Sequence, residues 1–262
     1  MTEPVALWSD TLKTPEGDWL PGEEICTRVR EKYGPTVALG FSIGKDSIGA
    51  WLQLRRFFDR VVPIYREYVP GLEFVRRELS YYESFFQTEI ICVPSEAMWE
   101  WLVKLDFQPP DRAKLIDDAV LFRDIGSSQI VDAAYMQAGL TPDIFIAGGW
   151  RRSDSIARAF AMKKEGPVNE GSMVFHPIYD WSEERLFNEL KGSGVRLPPD
   201  YAIFGRSFDS LRGRFCVPLK KTFPNDYERL RLLFPLVDLE YLRFTEYEDR
   251  PYRERRKPSP RS

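Results

Sequence analysis

Apolar and polar residues fall along this chain in blocks that change period as they go. Residues 23–32 carry a helical pattern that stops at Gly34-Pro35. Residues 36–41 (TVALGF) follow as a nearly all-apolar run, the pattern of a strand covered on both faces in a parallel sheet. The polar segment 42–47 reads as a turn, and residues 48–58 as an amphipathic helix. The alternation then repeats: a strand at 61–65, a helix at 72–86 after the Val69-Pro-Gly71 turn, and a strand at 89–93 closed by Pro94. A helix at 127–137 ended by Gly139 and a strand at 143–147 before Gly148-Gly149 complete the series. Strands alternating with helices imply right-handed βαβ crossovers, so the predicted class is α/β with a mostly parallel sheet and flanking helices.

Elsewhere the pattern is looser. Residues 94–126, with Trp99, Trp101 and Pro109-Pro110, read as an insertion or lid, and residues 198–224 as loop-rich. Asp180-Trp-Ser-Glu183 resembles a capping box opening a helix whose buried face is Leu186, Phe187 and Leu190, with Gly192 and Gly194 as its stop. Trp181 reads as a core anchor beside the cap, and a last helix is expected at 227–233. The expected organisation is a helical lead-in at 1–35, an α/β domain at 36–224, and a C-terminal helix with a basic tail at 225–262. No internal repeat of solenoid period is evident.

Composition narrows the chemistry. With 262 residues, 43% hydrophobic and 14% aromatic, the chain can bury a sizeable core and is not of disordered type. Its three cysteines, Cys26, Cys92 and Cys216, lie more than sixty residues apart, which argues against a zinc ribbon, an iron–sulfur pattern or a disulfide framework. Cys26 and Cys92 read as core residues, and Cys216 as a buried, inert thiol or, beside Arg212 and Arg214, a reactive one. The single histidine, His176, sits in the apolar run MVFHPI and reads as a packed structural residue, so a metal hydrolase with several histidine ligands is excluded. The net charge is −3, but residues 250–262 carry five Arg and one Lys against one Glu, a local +5 that leaves −8 for the rest. The body is therefore not an electrostatic nucleic-acid binder, whereas the tail is a possible nucleic-acid contact. No apolar run approaches the roughly 20 residues that span a bilayer, and no signal-like segment opens the chain. The expectation is a soluble cytoplasmic protein with reduced thiols.

The sharpest local signal is Ser42-Ile43-Gly44-Lys45-Asp46-Ser47, placed between a buried strand and a helix. Backbone N–H groups at a helix N-terminus make an anion site; Gly44 allows close approach, Lys45 adds charge, and the Ser42 and Ser47 hydroxyls can donate to phosphate oxygens. The spacing is not that of a Walker A loop, since Gly40 is four positions before Gly44 and Asp46 follows Lys45, nor that of the dinucleotide fingerprint. After the strand at 143–147, Gly148-Gly149 permits close ligand approach. Arg151 and Arg158 there offer planar donors for phosphate or sulfate, Asp154 can pair with either, and Arg152 reads as surface.

The S-I-G-K-D-S loop resembles the S-G-G-K-D-S signature of the adenine-nucleotide α-hydrolase superfamily, the PP-loop ATP pyrophosphatases, departing from it at Ile43. That departure calls for a backbone conformation open to a β-branched side chain. Gly149-Trp-Arg151-Arg-Ser-Asp154-Ser155-Ile-Ala-Arg158 and Pro177-Ile-Tyr-Asp180-Trp181-Ser182 are similar to two further elements of its phosphoadenosine-phosphosulfate reductase-like branch. Together these cover about residues 36–200. The resemblance implies a doubly wound parallel sheet with an adenine nucleotide, ATP or a sulfonucleotide, at the carboxyl ends of the strands. It implies Mg²⁺ assisted by Asp46, phosphate charge met by Lys45, Arg151 and Arg158, and nucleotide contacts from residues 42–47 and Gly149. The reductases' E-C-G-[IL]-H cysteine motif is absent, so the reaction implied is cleavage of ATP between the α- and β-phosphates to adenylate an acceptor. A sulfonucleotide ligand and a non-enzymatic nucleotide-sensing or nucleic-acid-modification partner are the alternatives.

Overall fold

The computed structural model of the chain describes residues 8–118 and 126–248; the basic tail at 250–262 lies outside them. Helix α1 (Gly22–Tyr33) leads into β1 (Thr36–Phe41), α2 (Lys45–Leu54), β2 (Arg60–Glu67), α3 (Glu73–Phe86) and β3 (Ile91–Pro94). Then come α4 (Glu96–Val103), α5 (Pro110–Asp118), α6 (Ser127–Ala138), β4 (Ile146–Ala147), α7 (Ile156–Glu165), β5 (Val168–Asn169) and β6 (Val174–Phe175). Helices α8 (Glu183–Ser193), α9 (Asp200–Phe204), α10 (Gly213–Thr222), α11 (Pro224–Leu233) and α12 (Asp238–Arg243) follow.

The six strands form one sheet in the order β3-β2-β1-β4-β6-β5. β1 runs parallel to β2 from Thr36↔Arg60 to Phe41↔Tyr65 and parallel to β4 at Ala38↔Ile146, while β4 is parallel to β6 and β5 antiparallel to it. From β1 the chain thus winds outward to β2 and β3 on one side, and later to β4 and β6 on the other. This is the doubly wound α/β class, and its direction reverses between the carboxyl ends of β1 and β4, where such sheets open a crevice.

The chain packs as two units, each assembled from separate stretches of sequence. The first takes residues 8–66, 81–93 and 131–198. In its core Val37, Ala38, Leu39 and Phe41 of β1 are buried, Trp51 stacks on Phe86 at 3.9 Å, and Phe41 sets its ring edge-on to Trp51 and Tyr82. α2 packs on α8 at Gly49, where a Cβ would lie 2.4 Å from Leu186 Cδ1. The second unit takes residues 67–80, 94–118, 126–130 and 199–248, around Phe74, Phe204, Phe208, Phe215 and Phe223. There Asp226, from α11, caps the start of α3 by accepting the N–H groups of Glu73 and Phe74 at 2.6 and 3.0 Å.

Several expectations are corrected. α2 begins at Lys45, because Gly44 takes the extended N-cap conformation (φ −73°, ψ 154°), so half of the expected turn is helix. The fourth strand shrinks to Ile146–Ala147, and β5 and β6, two residues each, leave no periodic trace. Residues 94–126 and 198–224 hold the helices α4, α5, α9 and α10; the last was hidden by Pro218 in its interior, a residue that normally breaks helices. Phe187 is 43% exposed, leaving Leu186 and Leu190 as the buried face of α8. Ser182 caps α8 by accepting the Arg185 N–H, whereas Asp180 accepts the Gly22 N–H at 3.3 Å and so caps α1. Trp181 is buried, as the core reading requires. Cys92 is exposed rather than core: it lies on the edge strand β3, whose residues alternate between buried and exposed. No helix among the described residues is long and apolar enough to cross a membrane.

Candidate functional site

The carboxyl end of β1 and the start of α2 are joined by Ser42, Ile43 and Gly44. Within this short connection Ile43 takes the left-handed region, at φ 62°. The sequence had called for a conformation open to a β-branched residue there, and the backbone does the reverse. Left-handed backbone costs an L-residue about 1–2 kcal/mol, which burial of the Ile43 side chain, 3% exposed, offsets.

Past the turn, the N–H groups of Lys45, Asp46 and Ser47 precede the first intrahelical bond, from Ile48 N–H to Gly44 O at 3.1 Å, and so have no partner within the helix. Gly44 supplies no side-chain cap either. The two serines turn inward. Ser47 Oγ donates to the Gly44 carbonyl at 2.9 Å and accepts from Ser42 N–H at 3.2 Å and Ser42 Oγ at 3.1 Å, which closes the loop on itself. What the loop presents is therefore backbone N–H and the Lys45 ammonium, more than hydroxyl groups.

The end of β4 meets this loop directly. A Cβ on Gly149 would lie 2.8 Å from the Asp46 carbonyl carbon and 2.9 Å from Ser47 N, so this glycine makes room for the first turn of α2 itself. Two residues on, the Arg151 side chain is only 3% exposed and bridges two carboxylates. Its Nε donates to Asp46 Oδ1 at 2.9 Å and its Nη2 pairs with Asp154 Oδ1 at 2.7 Å. Nη1 reaches Ser153 Oγ at 3.2 Å, and Ser153 Oγ donates to the Trp181 carbonyl at 3.0 Å. Asp154 also pairs with Arg158 and accepts the Arg151 N–H. The result is a row of alternating charge, Lys45, Asp46, Arg151, Asp154, Arg158, with three cations for two anions. Arg152 is exposed.

His176 belongs to the rim of this region more than to the core. Its ring stacks on Trp150 (5.2 Å between centroids, 4° between planes), and the Arg158 guanidinium lies 5.0 Å from the Trp150 ring. Nδ1 is 3.1 Å from the Gly148 carbonyl and so carries the proton. Burial pushes the imidazole below its ordinary value, Arg158 adds to this, and the Gly148 bond opposes it. Sequence reasoning missed this placement because β6, which delivers His176 beside β4, is two residues long.

Asp46, expected to assist a metal, divides its oxygens between Lys45 Nζ at 3.1 and 3.3 Å and Arg151 Nε at 2.9 Å. Among the described residues no cluster of three or more carboxylate, histidine or cysteine side chains is placed to hold an ion. This donor set does not fit a Mg²⁺ held by the protein. Cys216 is buried, donates to the Leu211 carbonyl, and has its thiol pushed up to about 12 by burial, so it is inert near neutrality.

No protein-family model matches the chain, and no curated protein matches it in sequence. Among solved structures it is similar to a phosphoadenylyl-sulfate (PAPS) reductase from Candida auris in a phosphate complex, at 14% identity over 69% of this chain and 83% of that one, with a TM-score of 0.39. It is similar to an NH₃-dependent NAD synthetase from Campylobacter jejuni in complex with nitrate, at 15% identity over 88% and 96%, TM-score 0.43. A third is the U34-tRNA thiolase NcsA from Methanococcus maripaludis with its [4Fe-4S] cluster, at 16% identity over 89% and 84%, TM-score 0.39. At these values the likenesses carry no argument.

Two measurements check the site. Arg151→Met leaves Asp46 and Asp154 short of their shared cation, so chemical denaturation is expected to show a loss of about 3–5 kcal/mol. His176, the chain's single histidine, gives one unambiguous imidazole resonance, expected to titrate below the ordinary 6.5. Because the unfolded chain then takes up a proton that the fold resists, the melting temperature falls as pH drops from 6.5 through the folded value. His176→Gln is expected to flatten that slope.

Proposed function

We propose that the loop at 42–47 binds the phosphates of an adenine nucleotide and that the chain is an enzyme of the PP-loop type. It would cleave ATP between the α- and β-phosphates and adenylate an acceptor. The observation that carries this reading is the uncapped first turn of α2 at the β1/β4 crevice, with Lys45 beside it and a row of charge that leaves one cation in excess.

In this reading an acceptor oxygen attacks the α-phosphorus, the oxygen–phosphorus bond forms, and the bridging bond to the β-phosphate breaks. The electron pair leaves with pyrophosphate. Lys45, whose side chain is 19% exposed, and the N–H groups of Lys45, Asp46 and Ser47 take up that negative charge. Arg158 is the other cation with room for a ligand, since its side chain is 38% exposed. Arg151 is a positioning residue: it is buried, each of its three nitrogens engages one of Asp46, Asp154 and Ser153, and it fixes where the α2 turn lies. Gly149 contributes space for that turn. Reduction of a sulfonucleotide is disfavoured because Cys26 and Cys216 are buried with raised thiol values and Cys92 sits on the edge strand, two strands from β1. The basic tail is kept as a candidate nucleic-acid contact.

Pyrophosphate release from ATP, screened against candidate acceptors, tests the reading. Wild-type protein is expected to release it and Lys45→Met to be slower by about 10²–10³-fold. Absence of both ATP binding and release would overturn the proposal, and tighter binding of adenosine 3′,5′-bisphosphate than of ATP would move it to a sulfonucleotide ligand.

A further inference from the structure

Residues from 97–107 and 209–212, in which the sequence offers no chemical motif, come together with Glu240 and Arg243 within the second unit around a cavity of about 540 Å³. Trp101 forms part of its wall, held edge-on to Phe234 (5.9 Å, 78°) and offset over Tyr68 (5.9 Å, 29°). Much of the charge lining it is already satisfied. Glu240 bonds Arg243 twice, at 2.7 and 2.6 Å, and accepts the Gly213 N–H at 2.9 Å, while Asp209 pairs with Arg206.

Two lining residues, Asp106 and Arg212, are not satisfied in this way. Among the described residues the half-buried Asp106 carboxylate and the exposed Arg212 guanidinium have no hydrogen bond or ion pair, with each other or with a third group; at longer range Asp106 acts on Lys104 and Arg212 on Glu240. The backbone around Asp106 is unusual as well. Leu105 and Phe107 are both left-handed, at φ 59° and 55°, and Asp106 N–H is tied to the Trp101 carbonyl at 2.8 Å. Bulky residues held in that region on both sides of one carboxylate mark a segment whose geometry is imposed.

We propose that this cavity binds a free α-amino acid, with its ammonium on Asp106, its carboxylate on Arg212 and its side chain along Trp101 and Leu211. A separated anion and cation suit a ligand that carries both charges. A simple anion would have to face Asp106 and Asp209, and a simple cation Arg212 and Arg243. The volume lies in the range of small-molecule pockets. The inference stands apart from the nucleotide reading of the first unit and would survive its failure.

Calorimetric titration of the full chain with each standard L-amino acid tests it. At least one is expected to bind, and its N-acetyl and carboxamide derivatives to bind about tenfold or more weakly to the unaltered protein. Asp106→Asn and Arg212→Gln, compared after confirming unchanged melting curves, are each expected to lose a similar factor. No heat from any amino acid up to about 10 mM, equal binding of the blocked derivatives, or folded variants that bind as wild type would overturn the proposal.

Discussion

A guanidinium almost fully withdrawn from water is costly, and a fold keeps one only where carboxylates repay the lost solvation. Arg151 is in that position, with Asp46 on one side and Asp154 on the other. Asp46 lies in the first turn of α2 and Arg151 in the loop after β4, so this one side chain ties together the two strand ends that flank the crevice. Around it, Gly149 admits the α2 backbone, Ser153 is anchored to Trp181, and Asp154 carries the tether on to Arg158.

The same tether explains how a strained turn persists. Ile43 sits in left-handed backbone, a conformation that glycine would take without penalty. Its buried side chain and the Ser42–Ser47–Gly44 bonds hold it there. A loop closed on itself in this way loses little entropy when an anion settles on its N–H groups, which favours a preorganised phosphate site over one that folds around its ligand.

Much of this was legible in the chain. β1, the loop and the helix after it rest on local signals, namely an all-apolar strand, a glycine with polar neighbours and a change of period, and they came out within a few residues. The α/β class followed from the same alternation, whereas the doubly wound arrangement was what the resemblance implied. What escaped depends on partners far away in sequence. Asp180 caps α1, Asp226 caps α3 and Glu240 accepts from the start of α10, and no window of sequence joins those pairs. Two-residue strands have no period, so β6 and the His176–Trp150 stack it creates were invisible. Ile43 was misjudged for a related reason: the turn length and the burial that decide its backbone belong to the packed fold.

The central claim is that the N–H groups at the start of α2 receive phosphate. Amide hydrogen exchange with and without ATP tests it most directly, because it reads those groups one by one. Exchange is expected to slow at Lys45, Asp46 and Ser47 when ATP is added, since these amides lack intrahelical partners. Unchanged exchange at these three, with protection appearing elsewhere in the chain, would contradict it.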